Sequence, residues 1–167
     1  MTADDERGLS SWVDNCDIPA PMISFLYRTI QIRFSQELVP FNIGWGHFTI
    51  LKSLYYREGR SQDELARSHG FDKTMISKSI VRLEREGLVY RVVDPADKRV
   101  KRLYLTQKGR GIEPDLVRIG NEVNAMLVDG LSGGDREELI GMLRKVSSNA
   151  AGTFGANSVK EMSDNLK

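Results

Sequence analysis

Apolar residues recur at steps of three and four along most of this chain, give way once to strand-like runs, and then return to helical spacing. Residues 1–20 are polar and without a clear period, and Pro19 and Pro21 mark the boundary to the first periodic segment. From Met22 to Val39, the positions Ile23, Leu26, Ile30, Phe34 and Leu38 form one face of an amphipathic helix, which Pro40 is expected to stop. A second helix is predicted from Trp45 to Tyr56, with Phe48, Leu51, Leu54 and Tyr55 inward and Gly59 beyond its end. Ser61-Gln62-Asp63-Glu64 has the spacing of a capping box, in which hydroxyl and carboxylate each satisfy an orphan backbone N–H. The short helix it starts carries Leu65 and Ala66 and stops at Gly70. Asp72 caps the next helix, whose inward positions are Ile76, Ile80 and Leu83 and which ends at Gly87.

The period then changes. Leu88–Val93 and Val100–Leu105 are rich in β-formers, and the turn-forming Asp94-Pro95-Ala96-Asp97 separates them. Lys98 and Arg99 stand at the tip of the hairpin this implies. One long helix is predicted from about Gln107 to Gly130, with Pro114 near its start and a stripe of Leu116, Ile119, Val123, Met126 and Leu127. Ser132–Asp135 reads as the cap of a last helix bearing Leu139, Ile140, Leu143 and Val146, and the polar residues 152–167 are expected to fray. The fold class is therefore mainly α with a small β wing: a winged helix–turn–helix flanked by N- and C-terminal helices.

Charge sharpens this picture. The 167 residues carry a net charge of only +1, but residues 57–110 hold 14 Lys/Arg against 8 Asp/Glu, leaving 10 against 15 elsewhere. A basic middle between acidic ends focuses a field that draws polyanions. On the second helix of the helix–turn–helix, the apolar face leaves Lys73, Thr74, Ser77, Lys78 and Arg82 on or near the opposite side. Hydroxyls can donate and accept at base edges, and cations pair with phosphate or guanine. Ala66 is small where the two helices should cross closely.

The run from Gly44 to Arg110 resembles the MarR family of bacterial and archaeal transcription regulators. The resemblance is carried by Asp97-x-Arg99 in the wing, a strand ending in Leu105-Thr106, a helix opening with Gly109 at its third position, and GFDKTMISKSIVRLEREGLV before them. In order of elements it covers roughly residues 21–150. It implies a homodimer with interlocked terminal helices, Arg99 entering the minor groove, Asp97 orienting it, and Thr74, Ser77 and Lys78 making recognition-helix contacts. It further implies a small aromatic acid as effector, bound between the dimerisation helices and the DNA-binding lobe near Arg28 and Trp45. Gly133-Gly134 departs from the family's usual helix-favouring start of the last helix. The chain then divides into a polar segment (1–20), N-terminal helices (21–56), a DNA-binding lobe (57–106), C-terminal dimerisation helices (107–151) and a tail (152–167).

Other chemistry is sparse. Cys16 lies a turn too early for the family's peroxide-sensing cysteine, and Asp14 and Asp17 beside it disfavour a thiolate. The two histidines lack ligand spacing, so no metal is expected; His47 reads as a core-edge residue and His69 as a surface one. There is no phosphate loop, nucleophile elbow or Cys/His pair, so neither catalysis nor a cofactor is expected. The acidic N-terminus is unlike a secretory signal, and no apolar run suits a membrane helix, so a cytoplasmic protein is expected. The expected function is a dimeric repressor of an inverted-repeat double-stranded DNA operator, released by a small ligand. The alternative is a winged helix used as a protein-interaction module in transcription. Basic residues at Lys98 and Arg99 weigh against it, since a protein-binding wing has no need of them.

Overall fold

In the computed structural model, which describes residues 13–69 and 72–151, the chain runs through α1 (Pro19–Glu37), a 3-10 turn (Val39–Phe41), α2 (Trp45–Tyr56) and β1 (Arg60–Ser61). It continues through α3 (Gln62–His69), α4 (Lys73–Arg85), β2 (Val89–Val93), β3 (Lys101–Leu105), α5 (Gln107–Gly111), α6 (Glu113–Leu127) and α7 (Gly133–Ala151). This is the mainly helical winged-helix arrangement that the hydrophobic pattern predicts. Gly70-Phe71, residues 1–12 and the tail 152–167 lie outside the described residues.

The core gathers around α2, which contributes Phe48, Ile50, Leu51 and Leu54 and touches α1, α4 and β3. From the lobe come Leu65, Ile76, Ile80, Leu83, Leu88, Leu103 and Leu105, all buried. From the flanking helices come Phe34, Leu38, Leu116, Ile119 and Val123.

Local chemistry sets the ends of the helices. Ser61 Oγ accepts from the Glu64 N–H at 3.2 Å while Glu64 accepts from the Ser61 N–H at 2.6 Å, completing the capping box. Asp72 Oδ1 accepts from the Thr74 and Met75 N–H groups at 2.8 and 3.2 Å, which starts α4. At the other end, Gly87 takes a left-handed φ of 68°. Its N–H bonds the Glu84 carbonyl and the Leu88 N–H bonds that of Leu83, so two orphan carbonyls are satisfied as the chain turns into β2.

Several boundaries differ from those predicted. α1 begins at Pro19, because a proline in the first turn gives up only an N–H that has no helical partner. Pro40 does not stop α1, which ends at Glu37; it sits inside the 3-10 turn closed by Asn42 at φ 56°. The helix expected over 107–130 is two, parted at Ile112, with Pro114 in the first turn of α6. The sheet has a third strand: β1 pairs antiparallel with β3, giving the order β1-β3-β2. Two residues cannot display a period.

His69 corrects the expectation of a surface histidine. It is half-buried and 2.7 Å from the hydroxyl of the buried Ser53, and burial together with the nearby Arg60 lowers its pKa from 6.5 to about 4. Its folded pKa lies below the unfolded one, so the stability it supports is present above pH 6.5 and is lost as pH falls toward about 4. In that window the urea midpoint of wild type is expected to drop more than that of His69→Gln. Parallel midpoints would show that His69 titrates normally.

The terminal helices carry apolar side chains that this chain does not cover, and Met126 and Leu127 at the end of the α6 stripe are exposed as well. On α1, Ile23 and Leu26 are exposed although Phe34 and Leu38 of the same stripe are buried. On α7, Ile140, Leu143 and Val146 of the predicted inward stripe are between 42% and 45% exposed in the single chain, and Met142 beside them is 53% exposed, while Leu139 is half-buried.

Candidate nucleic-acid interface

α4 presents a sided helix. Ile76, Ile80 and Leu83 are fully buried, and this fixes the rotation of everything else on it. Thr74 and Lys78 are thereby exposed and Ser77 is half-buried near the N-terminal end, the end that in helix–turn–helix proteins enters the major groove. Lys73 is exposed and reaches back to Asp63 of α3 at 2.9 Å. That surface pair is too solvated to hold the lysine against a phosphate.

Arg82 is placed differently from the other predicted contacts. Its guanidinium donates to the Asn42 carbonyl at 3.1 and 3.3 Å and pairs with Glu86 at 3.1 Å, while the Asn42 amide donates to the same Glu86. It ties the recognition helix to the segment joining α1 and α2. Sequence spacing put it on the polar face but could not reveal a partner forty residues away.

The wing holds its arginine by a fork. Arg99 Nε and Nη2 donate to the two carboxylate oxygens of Asp97 at 3.1 and 3.2 Å, and the Arg99 backbone N–H donates to Asp97 Oδ1 at 3.0 Å. The Arg99 side chain is nonetheless 91% exposed. The side-chain and backbone bonds from Arg99 hold the Asp97 pKa below the ordinary carboxylate range, so the pair stays charged. A bidentate pair fixes the direction of the guanidinium while leaving donors turned outward. Lys98 beside it is exposed.

Arg28 and Trp45 both lie outside the open groove beside α4. Arg28 is exposed on α1, and Trp45 is half-buried with its ring 4.6 Å from that of Phe34 and stacked at 5.8 Å on Phe48. That groove, of roughly 600 Å³, lies between the Val39–Gly44 segment with His47 and the Met75, Lys78, Ser79 and Arg82 side of α4. His47 Nδ1 accepts the Gly44 N–H at 3.0 Å, capping α2, and burial lowers its pKa. Cys16 lies just before α1, with its thiol directed at the Ile18 carbonyl at 3.7 Å. Among the described residues no cluster of His, Cys, Asp and Glu could hold a metal, and no helix is long and apolar enough to cross a membrane.

The sequence profile of the MarR family matches residues 43–101, the span from the start of α2 to the wing. A MarR transcriptional regulator from Methanosarcina mazei Go1 is 33% identical, with a TM-score of 0.75 over 80% of this chain and 96% of that one. The chain belongs to the MarR family. An uncharacterised HTH-type transcriptional regulator of Bacillus subtilis, YybA, is 25% identical over 76% of this MarR chain and 85% of its own length. The MepR–DNA complex of S. aureus aligns with a TM-score of 0.74 at 26% identity, over 79% of this chain and 98% of MepR. The MarR chain is thus a transcription regulator by family.

Proposed function

We propose that this protein binds double-stranded DNA in sequence-specific fashion as a homodimer and acts as a ligand-responsive repressor. The observation that carries DNA binding is the wing: an exposed Arg99, oriented by Asp97, on the hairpin that follows a recognition helix with exposed Thr74 and Lys78. A MarR relative of similar fold is known in complex with DNA. Thr74 and Ser77 serve as base contacts, Lys73, Lys78 and Lys98 as phosphate contacts, and Arg99 as the minor-groove contact. Arg82 acts through the helix it anchors.

The bare apolar faces of α1 and α7 support the dimer, with the lobe 57–106 left to bind DNA. Twofold symmetry then calls for an inverted-repeat operator with half-sites about one helical turn apart. Sedimentation returning one chain per particle at micromolar concentration would remove this arrangement.

Selection from a random duplex pool tests the DNA contacts. Ser77→Ala should change which bases are preferred, whereas Lys78→Ala should keep the preferences but lower affinity and reduce the salt slope by about one unit. Identical preferences and slopes for wild type and both variants would refute these roles.

For the effector, the exposed guanidinium of Arg28 is the proposed partner of an aromatic carboxylate. Salicylate is expected to bind free protein more tightly than the DNA complex, with a reciprocal coupling of roughly 1–3 kcal/mol that Arg28→Ala removes. Calorimetric titration with and without the selected duplex checks it, and equal affinity in both states means no switch.

A further inference from the structure

The tip of the wing is solvent-exposed, but its base is bolted down by charges that the proposed DNA contacts do not use. Asp94, at the exit of β2, is only 6% exposed. Its Oδ1 accepts from the Ala96 and Asp97 N–H groups at 2.7 and 3.3 Å. Two backbone bonds, Asp94 N–H to the Val100 carbonyl and Val100 N–H to that of Asp97, close the loop. The other carboxylate oxygen takes Arg102 Nε. From β3, the Arg102 guanidinium also donates to the Gly59 carbonyl at 2.8 Å and lies 3.7 Å from Glu64. Glu64 is itself half of the capping box that begins α3. A continuous set of contacts thus runs from the loop that carries Asp97 and Arg99 to the first helix of the helix–turn–helix.

This set is more than the wing needs to fold. β2 and β3 pair over five residues each, and Leu103 and Leu105 already anchor β3 in the core. A carboxylate withdrawn from water is costly unless its oxygens are filled, and here the Ala96 N–H and Arg102 hold Asp94 below the usual carboxylate range. The Arg102 side chain is 38% exposed and outside the hydrophobic core. What the network fixes is an angle. Pairing with β1, core packing of Leu103 and Leu105, and the Arg91–Glu84 ion pair also hold the hairpin, but Arg102 is the side chain that joins Asp94 in the tip loop to the capping box of α3, and with it the pitch of that loop.

We propose that Arg102, clamped by Asp94, is a positioning residue for DNA recognition: it locks the pitch of the wing to α3, so that Arg99 and the recognition helix reach their two grooves together. This rests on the proposed reading of the chain as a DNA-binding protein. Neither residue need touch DNA.

The test begins with wild-type protein and a random-sequence duplex pool. Recovery of no preferred duplex would overturn the DNA-binding reading, and the positioning role with it. On a recovered duplex, Arg102→Gln and Arg99→Ala should each weaken binding by about tenfold or more. Both should lose hydroxyl-radical protection in the minor groove and keep methylation protection in the major groove, with thermal midpoints near wild type. The double variant should bind no worse than the weaker single, because a wing out of register has already lost its arginine. Additive losses would overturn the proposal. So would both footprints fading together with a fallen thermal midpoint, the mark of a merely structural role. Asp94→Asn keeps the acceptor for Ala96 and Asp97 but removes the charge opposite Arg102, and it should repeat the Arg102→Gln result. It decides the matter if Arg102→Gln does not fold, and wild-type binding by Asp94→Asn would refute the clasp.

Discussion

Arg99→Ala is expected to weaken operator binding by roughly 1–3 kcal/mol, about five- to a hundredfold or somewhat more, without loss of fold. The fold should survive because the side chain is 91% exposed and its partners are Asp97 and solvent. The effect on binding should be large because a narrow minor groove concentrates negative potential, which a guanidinium enters more readily than an ammonium. Arg99→Lys should therefore recover little, since a lysine cannot reproduce the two-pronged pair with Asp97. Titration of the selected duplex by fluorescence anisotropy, with circular dichroism as the check on folding, measures both. Unchanged affinity in the folded Arg99→Ala protein would mean that the wing does not read DNA.

Gly109→Ala should cost stability of roughly 3 kcal/mol, the upper end of what overpacking usually produces. A Cβ built on Gly109 would fall inside the contact radius of the Leu88 carbonyl oxygen and reach 3.0 Å from its carbon. Those are backbone atoms, so no rotamer change can relieve the clash. Neighbouring bonds also hold the approach: Thr106 donates to the Leu88 carbonyl, Gly109 N–H donates to Thr106 Oγ1 at 2.9 Å, and Tyr55 donates to the Gly109 carbonyl at 2.7 Å. Gly111, at the end of the same helix, has nothing within 4 Å of the corresponding position. Gly111→Ala should therefore be neutral or gain up to about 1 kcal/mol. Urea midpoints of the two variants give the contrast directly. If both shift alike, the glycine signature at the head of α5 has another cause.

How much of the fold was legible in the sequence depends on how local each cause is. The capping box at Ser61-Glu64, the Asp72 cap, the Gly87 exit and the two β-rich runs are each decided within a few residues, and each stands close to where the pattern put it. The recognition-helix face was legible for the same reason, since Ile76, Ile80 and Leu83 fix its rotation. The features that escaped depend on distant partners. Arg82 looked like another exposed cation until Asn42 and Glu86 were seen to engage it. The packing of Trp45 against Phe34 and Phe48 likewise depends on residues from two helices that spacing alone does not bring together. Asp94 read only as a turn former, because its second role needs Arg102 from the opposite strand. Gly109 could be recognised as a motif residue, while its reason, the Leu88 carbonyl, belongs to another element.

The bond between Arg82 and Asn42 gives α1 a mechanical meaning. α1 spans 19 residues, so it is a rod of about 28 Å that ends a few residues before Asn42. Its near end is seated by Phe34 and Leu38, while its far end carries the bare Ile23 and Leu26. A rod pivoted at one end is a lever. A tilt of only about 5° would carry the far tip ~2.5 Å, while at the pivot Asn42 is bonded to the recognition helix through both Arg82 and Glu86. Ile23 and Leu26 thus stand on the long arm, and the Asn42–Arg82 bond stands beside the short one.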